Sequence, residues 1–211
     1  MGQILTITFS PCLDKSSSVE ELIPAKKLKC ESPVVRPGGG GINVARALYR
    51  LGSDVTALFP AGGYTGQMLI DLMKEEGIPG IVISKKNETR ENVMISETKS
   101  GHQYRFGMPD TLISESEWKE CLSVIESAKD IDFIIASGSL PAGVPIDIYA
   151  QISRIAKSKN AKFVLDTSGD ALKAALAEGV FLIKPNLGEL AAMTGKEKLS
   201  TEDVEAIAKK M

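Results

Sequence analysis

Short apolar runs recur along the chain and alternate with stretches of helical period. Residues 4–9, 55–59, 133–136, 163–165 and 181–183 are almost continuously apolar, the pattern of strands covered on both faces of a parallel sheet. Between them, residues 65–76 carry Met68, Leu69, Leu72 and Met73 on one stripe. Residues 114–128 open with Ser114 and Glu117 at capping-box spacing ahead of Trp118, Leu122 and Ile125. Further helices are predicted over 146–157, 171–177 and 187–193. This alternation predicts an α/β fold, a doubly wound, mostly parallel sheet flanked by helices that keeps its ligands at the C-terminal ends of the strands.

Two segments, about 15–35 and 81–108, break the alternation. They hold stretches of period two such as Asn92-Val93-Met94-Ile95-Ser96 and Gln103-Tyr104-Arg105-Phe106, separated by the turn Lys99-Ser100-Gly101. A small antiparallel β-sheet inserted into the main domain is expected there. It would stand off as a lid over a ligand, or, alternatively, be an edge extension with no role in binding.

Candidate chemistry begins at Pro37, where four glycines run into the amphipathic stretch Ile-Asn-Val-Ala-Arg-Ala, whose first polar side chain is Asn43. Glycine backbone lets main-chain N–H groups approach hydroxyls or anions, and a helix start adds unpaired donors and partial positive charge. A sugar or a phosphate is the ligand this suits; the competing reading is a flexible glycine linker. More polar residues follow predicted strands: Asp14, then Ser137-Gly138-Ser139-Leu140-Pro141, Asp166 and Lys184-Pro185-Asn186. Asp14 can accept two sugar hydroxyls, Lys184 offers a point charge to a nucleotide phosphate, and Asn186 and Glu189 could hold hydrated Mg²⁺ through water. Taken singly, Asp14 and Asn186 read equally as turn and cap residues.

Composition narrows the class. The 211 residues are 43% hydrophobic and 25% charged with a net charge of −2, as in one or two globular domains with a real core. Twenty-five Lys and Arg are interleaved with 27 Asp and Glu without a basic, aromatic-laced block, so nucleic acid is not an expected partner. Nothing approaches the roughly 18 apolar residues of a membrane span, and the first ten residues read as a strand rather than a signal peptide. A cytoplasmic location is expected. Cys12, Cys30 and Cys121 are odd in number and widely spaced, which reads as free thiols. The single histidine, His102, sits in a turn-like setting, which disfavours histidine triads and multi-histidine metal centres.

Taken together, Pro-Gly-Gly-Gly-Gly-Ile-Asn-Val-Ala-Arg-Ala, Phe-Pro-Ala-Gly-Gly (59–63), Gln-Tyr-Arg-Phe (103–106), Ser-Gly-Ser-Leu-Pro (137–141) and Lys-Pro-Asn-Leu-Gly-Glu-Leu (184–190) resemble the ribokinase-like carbohydrate kinases, the PfkB family. The resemblance implies that Asp14, Gly39, Gly40 and Asn43 contact sugar hydroxyls and that Arg90, Arg105 and Ser139 receive a phosphate already on the substrate. An arginine fork suits a phosphate dianion on its own chemistry, although either arginine alone reads as an exposed strand charge. Lys184, Asn186 and Glu189 match the family's ATP and Mg²⁺ region. Lys27 matches a lysine that reaches the nucleotide of a partner subunit, which implies a homodimer formed through the β-lid. The implied reaction moves the ATP γ-phosphoryl group to the C1 hydroxyl of fructose 6-phosphate; tagatose-6-phosphate kinase and 1-phosphofructokinase activities are alternatives, and a non-catalytic sugar-phosphate-binding module is a reading from another class. The family's Gly-Ala-Gly-Asp, which carries the general base, does not occur here. The chain is therefore expected to be the N-terminal portion of a kinase, ending at Met211 without a C-cap and inactive alone.

Overall fold

The computed structural model describes residues 2–195 and 199–208; the expectation about the chain end at Met211 falls outside them. The first apolar run forms β1 (Gln3–Ile7), and the chain then leaves the main sheet at once for β2 (Cys12–Val19) and β3 (Val34–Gly38). It returns through α1 (Gly40–Arg50), β4 (Val55–Ala61), α2 (Gly63–Glu75) and β5 (Gly80–Ser84), and leaves again for β6 (Arg90–Glu97) and β7 (Gln103–Gly107). The remainder is α3 (Glu115–Ser127), β8 (Ile131–Ser137), α4 (Ile148–Ser158), β9 (Lys162–Asp166), α5 (Gly169–Glu178), β10 (Leu182–Ile183), α6 (Leu187–Thr194) and α7 (Thr201–Ala208).

The main sheet has the order β10-β9-β8-β1-β4-β5, and its pairs are parallel. Its strands are apolar on both sides because both sides are covered. In β4, Val55, Ala57 and Phe59 join Ile42, Leu69 and Met73 beneath α1 and α2. Leu58, between them, points the other way and joins Leu5, Ile134, Ile152 and Leu172 under α3 to α5. Side-chain alternation along one strand thus feeds two separate cores. The expected capping box of α3 is present in its carboxylate half, since the Ser114 N–H donates to Glu117 Oε2 at 2.6 Å.

Two expectations are corrected. Residues 81–84 do not belong to the inserted sheet: β5 lies beside β4 in the main sheet. The inserted sheet, β3-β2-β6-β7, is mixed rather than antiparallel, because its central pair β2–β6 is parallel and only the outer pairs are antiparallel. Those two strands are joined through β3, α1, β4, α2 and β5 rather than by a hairpin, and so long a crossover permits parallel pairing.

Chain direction across the main sheet reverses at β1, which has β4 on one side and β8, a later crossover, on the other. Such a switch point opens a crevice at the strand C-termini, and the N-terminus of α1 sits in it. A Cβ on Gly41 would lie 2.3 Å from the Ile7 carbonyl oxygen at the end of β1, and one on Gly40 would lie 2.2 Å from Ser137 Oγ at the end of β8.

Candidate functional site

The small sheet sorts its side chains by register. Asp14 stands opposite Arg36 on β3 and Asn92 on β6, and Asn92 opposite Gly107 on β7. Two residues on, Ser16 faces Met94 and Met94 faces Arg105. Directly opposed residues share a face, so Asp14, Asn92, Arg36 and Arg105 look the same way. They line a cleft of about 440 Å³ closed by Asn43 and Arg46 from α1. The structure therefore brings three sequence-derived candidates, Asp14, Asn43 and Arg105, around one cavity.

Asp14 is held on one side only. Its Oδ1 accepts from Asn92 Nδ2 at 3.0 Å and from the Cys12 thiol at 3.3 Å, while Oδ2 occupies the space a side chain on Gly38 would need, 2.3 Å from that Cβ position. Burial, and then the adjacent Asp14 carboxylate, push the Cys12 thiol up to about 12, so it remains a neutral donor. Asn43 is oriented by Arg46, whose Nη1 donates to Asn43 Oδ1 at 3.3 Å and to the Pro37 carbonyl at 3.2 Å. Arg46 is in turn chelated by Glu76 through Nε at 2.9 Å and Nη2 at 2.7 Å. Hydrogen bonding from Arg46 holds the Glu76 carboxyl below the usual range, against the smaller opposing effect of burial.

The glycines that lead into α1 differ from the expectation in one respect. Their missing side chains make room first for the protein: Asp14 at Gly38, Thr8 and Pro11 at Gly39, Ser137 at Gly40. Gly39 also has φ of +112°, a conformation other residues resist. What remains for a ligand is the helix terminus itself, where no side chain caps the N–H groups and the first turn carries no acid.

Other expected residues lie elsewhere. Arg90 is not among the residues lining the cleft; its Nε pairs with Asp110 Oδ1 at 2.7 Å and its Nη1 donates to Asn92 Oδ1 and the Met108 carbonyl. Ser139 is exposed beyond β8, and Lys27 is exposed on the loop between β2 and β3. At the ends of β8 to β10, Ser137 Oγ donates to Asp166 Oδ2 at 3.0 Å and Lys184 Nζ pairs with Asp166 Oδ1 at 3.3 Å. Asn186 and Glu189 cap α6 reciprocally, Asn186 Oδ1 taking the Glu189 N–H at 2.9 Å and Glu189 Oε2 taking the Asn186 N–H at 2.8 Å. Both also line a second cleft of about 370 Å³ with Ser168, Gly169 and Lys173. Capping engages Glu189 Oε2, and Oε1 is a hard oxygen of the kind suited to a hydrated divalent cation. Among the described residues no group of three His, Cys, Asp or Glu could hold a metal directly, and no helix is long and apolar enough to cross a membrane.

Sequence reasoning overlooked Arg36, Arg46, Asn92 and Asp110. Asn92 was legible, since it lies in the polar phase of a strand whose other phase is Val93 and Ile95. Arg46 follows Asn43 by one helical turn. Arg36 and Asp110 carry no signal until the register is known.

The model of the pfkB family of carbohydrate kinases matches residues 7–211. The chain is 39% identical to the ATP-dependent 6-phosphofructokinase isozyme 2 of Escherichia coli (strain K12) over 212 residues, covering 100% of this chain and 69% of that protein. It is 40% identical to the protein of the same name from Mycobacterium tuberculosis (strain CDC 1551 / Oshkosh), covering 98% and 61% respectively, and 33% identical to the 1-phosphofructokinase of Bacillus subtilis (strain 168), covering 99% and 68%. The crystal structure of phosphofructokinase-2 from Escherichia coli in complex with fructose-6-phosphate superimposes with a TM-score of 0.94 at 39% identity, over 100% of this chain and 70% of that one. A tetrameric inhibited form of that enzyme gives a TM-score of 0.93, over 100% and 69%.

Proposed function

Because the chain belongs to the pfkB family of carbohydrate kinases, we propose that it binds fructose 6-phosphate and serves ATP-dependent transfer of the γ-phosphoryl group to the sugar's C1 hydroxyl. The observation that carries this is the single cleft shared by Asp14, Asn43 and Arg105 on a stiff sheet and a helix start. Two neutral-sugar contacts and one phosphate contact in one cavity fit a hexose phosphate rather than a free hexose. The 6-phosphofructokinase relatives, at 39% and 40% identity, support this acceptor over that of the 1-phosphofructokinase, at 33%.

In this reading the Asp14 carboxylate accepts a sugar hydroxyl at Oδ2, its other oxygen being occupied. The Asn43 amide, its oxygen turned to Arg46, offers its NH₂ to a second. Arg105, with Arg90 behind it, takes the phosphate, and Ser139 meets it when the small sheet covers the cleft as a lid. Gly39, Gly40 and the open N-terminus of α1 supply main-chain donors for developing negative charge. Lys184 meets the nucleotide phosphates, for which it must leave Asp166. Bound there, Mg²⁺ would offset phosphate charge, and Asn186 and Glu189 would hold it through water. The exposed face of the small sheet, with Val93, Ile95, Tyr104 and Phe106 on one side by register, supports a homodimer formed through the lid that brings Lys27 to the partner's nucleotide. Three free thiols, Cys12, Cys30 and Cys121, fit the reducing cytoplasm.

The test is calorimetric titration of the 211-residue chain with fructose 6-phosphate and with fructose, followed by assay for Mg²⁺-ATP-dependent turnover. Fructose 6-phosphate should bind at least about tenfold tighter, and Arg105→Ala should abolish the preference. Equal affinity for the two sugars would make an unphosphorylated hexose the substrate. Binding without turnover would favour the binding module for this chain.

A further inference from the structure

Asp110 lies on the segment that leads from β7 back to α3, between the two sheets. Its carboxylate pairs with Arg90 Nε at 2.7 Å and accepts the Ser10 hydroxyl, which is 5% exposed on the turn between β1 and β2. Arg90 Nη1 donates to Asn92 Oδ1 at 3.1 Å and to the Met108 carbonyl at 3.2 Å, and Asn92 Nδ2 donates on to Asp14 Oδ1 at 3.0 Å. A series of contacts, Ser10, Asp110, Arg90, Asn92, Asp14, joined by hydrogen bonds except for the Asp110–Arg90 ion pair, therefore runs from the body of the molecule to the candidate hydroxyl acceptor. The two Nη1 hydrogen bonds fix one side of the planar guanidinium, and the Asp110 charge draws its Nε side, where the N–H itself meets no hydrogen-bond acceptor among the described residues.

We propose that Asp110 is a positioning residue of the sugar-phosphate site: through its ion pair at the Nε side it sets how the Arg90 guanidinium faces the phosphate. The inference rests on the reading above in which Arg90 meets the phosphate. Asp110 acts in two opposed ways. Its geometry orients Arg90, whereas its negative charge repels the incoming dianion. Asp110→Asn keeps an oxygen in contact with the guanidinium and removes the charge; Asp110→Ala removes both. Asp110 also shares an electrostatic contact with the buried Lys85 ammonium, whose Nζ donates to Thr111 Oγ1 and which Glu117 still balances in either variant. Ser10→Ala loosens the same series from its far end with little change in volume.

The experiment is calorimetric titration of the 211-residue chain and of Asp110→Asn, Asp110→Ala, Ser10→Ala and Arg90→Ala with fructose 6-phosphate and fructose, read as the ratio of the two affinities. Arg90→Ala should collapse the ratio. Asp110→Ala should fall about tenfold below Asp110→Asn, and Ser10→Ala about threefold below wild type, with fructose affinity unchanged in all three. Equal ratios for Asp110→Asn and Asp110→Ala would overturn the inference, as would parallel loss of both sugars, which marks general loosening. Should Asp110→Ala fail to fold, an unaltered ratio in Ser10→Ala overturns it. If Arg90→Ala leaves the ratio intact, the Arg90 reading fails and the inference with it; if Arg90→Ala collapses the ratio while the Asp110 variants agree, only the inference fails.

Discussion

Gly38 and Gly41 sit three residues apart, and a methyl group at either would lie 2.3 Å from an oxygen, yet the consequences should differ. At Gly38 the nearest atoms are Asp14 Oδ2, Asp14 Cγ at 2.6 Å and Cys12 Sγ at 2.8 Å, all in side chains. Asp14 must swing away by about 1 Å to reach ordinary contact, which costs on the order of 1 kcal/mol of strain, partly offset by the smaller entropy of the unfolded chain. That displacement pulls its carboxylate off Asn92 and out of the sugar's reach, where a hydrogen bond to a charged acceptor contributes about 1.5–3 kcal/mol, or roughly ten- to 150-fold in affinity. At Gly41 the obstacles include the Ile7 carbonyl oxygen and, at 2.8 Å, its carbon. These belong to a strand paired on both sides, so α1 must retreat and loosen Ile42 and Ala45 in the core, at about 3 kcal/mol or more. Thermal melts by circular dichroism and titration with fructose 6-phosphate separate the two. Gly38→Ala should melt within about 4 °C of wild type and bind the sugar phosphate more than about tenfold weaker; Gly41→Ala should lose stability first. Undiminished binding by Gly38→Ala would refute the role of Asp14, and equal stability of the two variants would refute the packing argument.

Arg46→Ala should cost about 1–3 kcal/mol in urea unfolding at pH 7, because it breaks a two-pronged, half-buried pair. Since Arg46 lowers the folded-state pKa of Glu76 from 4.5, that stability is full above the unfolded value and lost as pH falls through the folded one; a difference between wild type and variant that persists undiminished well below pH 4.5 would contradict the pairing. Of the three thiols, exposed Cys30 should react quickly with an aromatic disulfide reagent at pH 8, while Cys12 and Cys121, buried and pushed up to about 12, should wait for unfolding; three equal rates would show that the cores open readily. Tyr149→Phe removes the hydroxyl that donates to the Gly138 carbonyl at 3.1 Å, but Thr167 Oγ1 still donates there at 2.9 Å, so a loss near 1 kcal/mol is expected and one above about 3 would mean the hydroxyl supports more than this bond.

The main sheet was legible because its strands are covered on both faces, which leaves nearly unbroken apolar runs flanked by helical stripes. Placing β5 in the small sheet fails for a local reason: Ile81, Val82 and Ile83 are such a run, but they lie close ahead of the alternating Asn92–Ser96 stretch and share its apolar character. Parallel pairing of β2 with β6 has no local signature at all, since it depends on where an intervening β-α-β unit returns the chain. Asp14 and Asn43 could be named from residue type and position, whereas Arg105 rests on the family resemblance; register puts Asp14 and Arg105 on one face, and α1 brings Asn43 to it. The Asn186 and Glu189 spacing was equally visible, and the capping it produces was the competing reading from the start. Arg90 shows the limit: the residue type was right for a phosphate, while Asp110, the partner that already holds one edge of it, lies 20 positions away and only the fold brings it near.

Pairing β2 and β6 in parallel makes both strands leave the body at the same end, at the row formed by Cys12 and Arg90. The small sheet is thus a cantilever rooted along one line. At about 3.3 Å per residue, its tip at Val19 and Glu97 stands roughly 23 Å from that root, and Asp14 only about 7 Å from it. A rotation of about 10° about the root would carry the tip some 4 Å and Asp14 little more than 1 Å. Gearing of this kind lets the far end of the arm sweep across solvent while the carboxylate nearest the fulcrum keeps its aim.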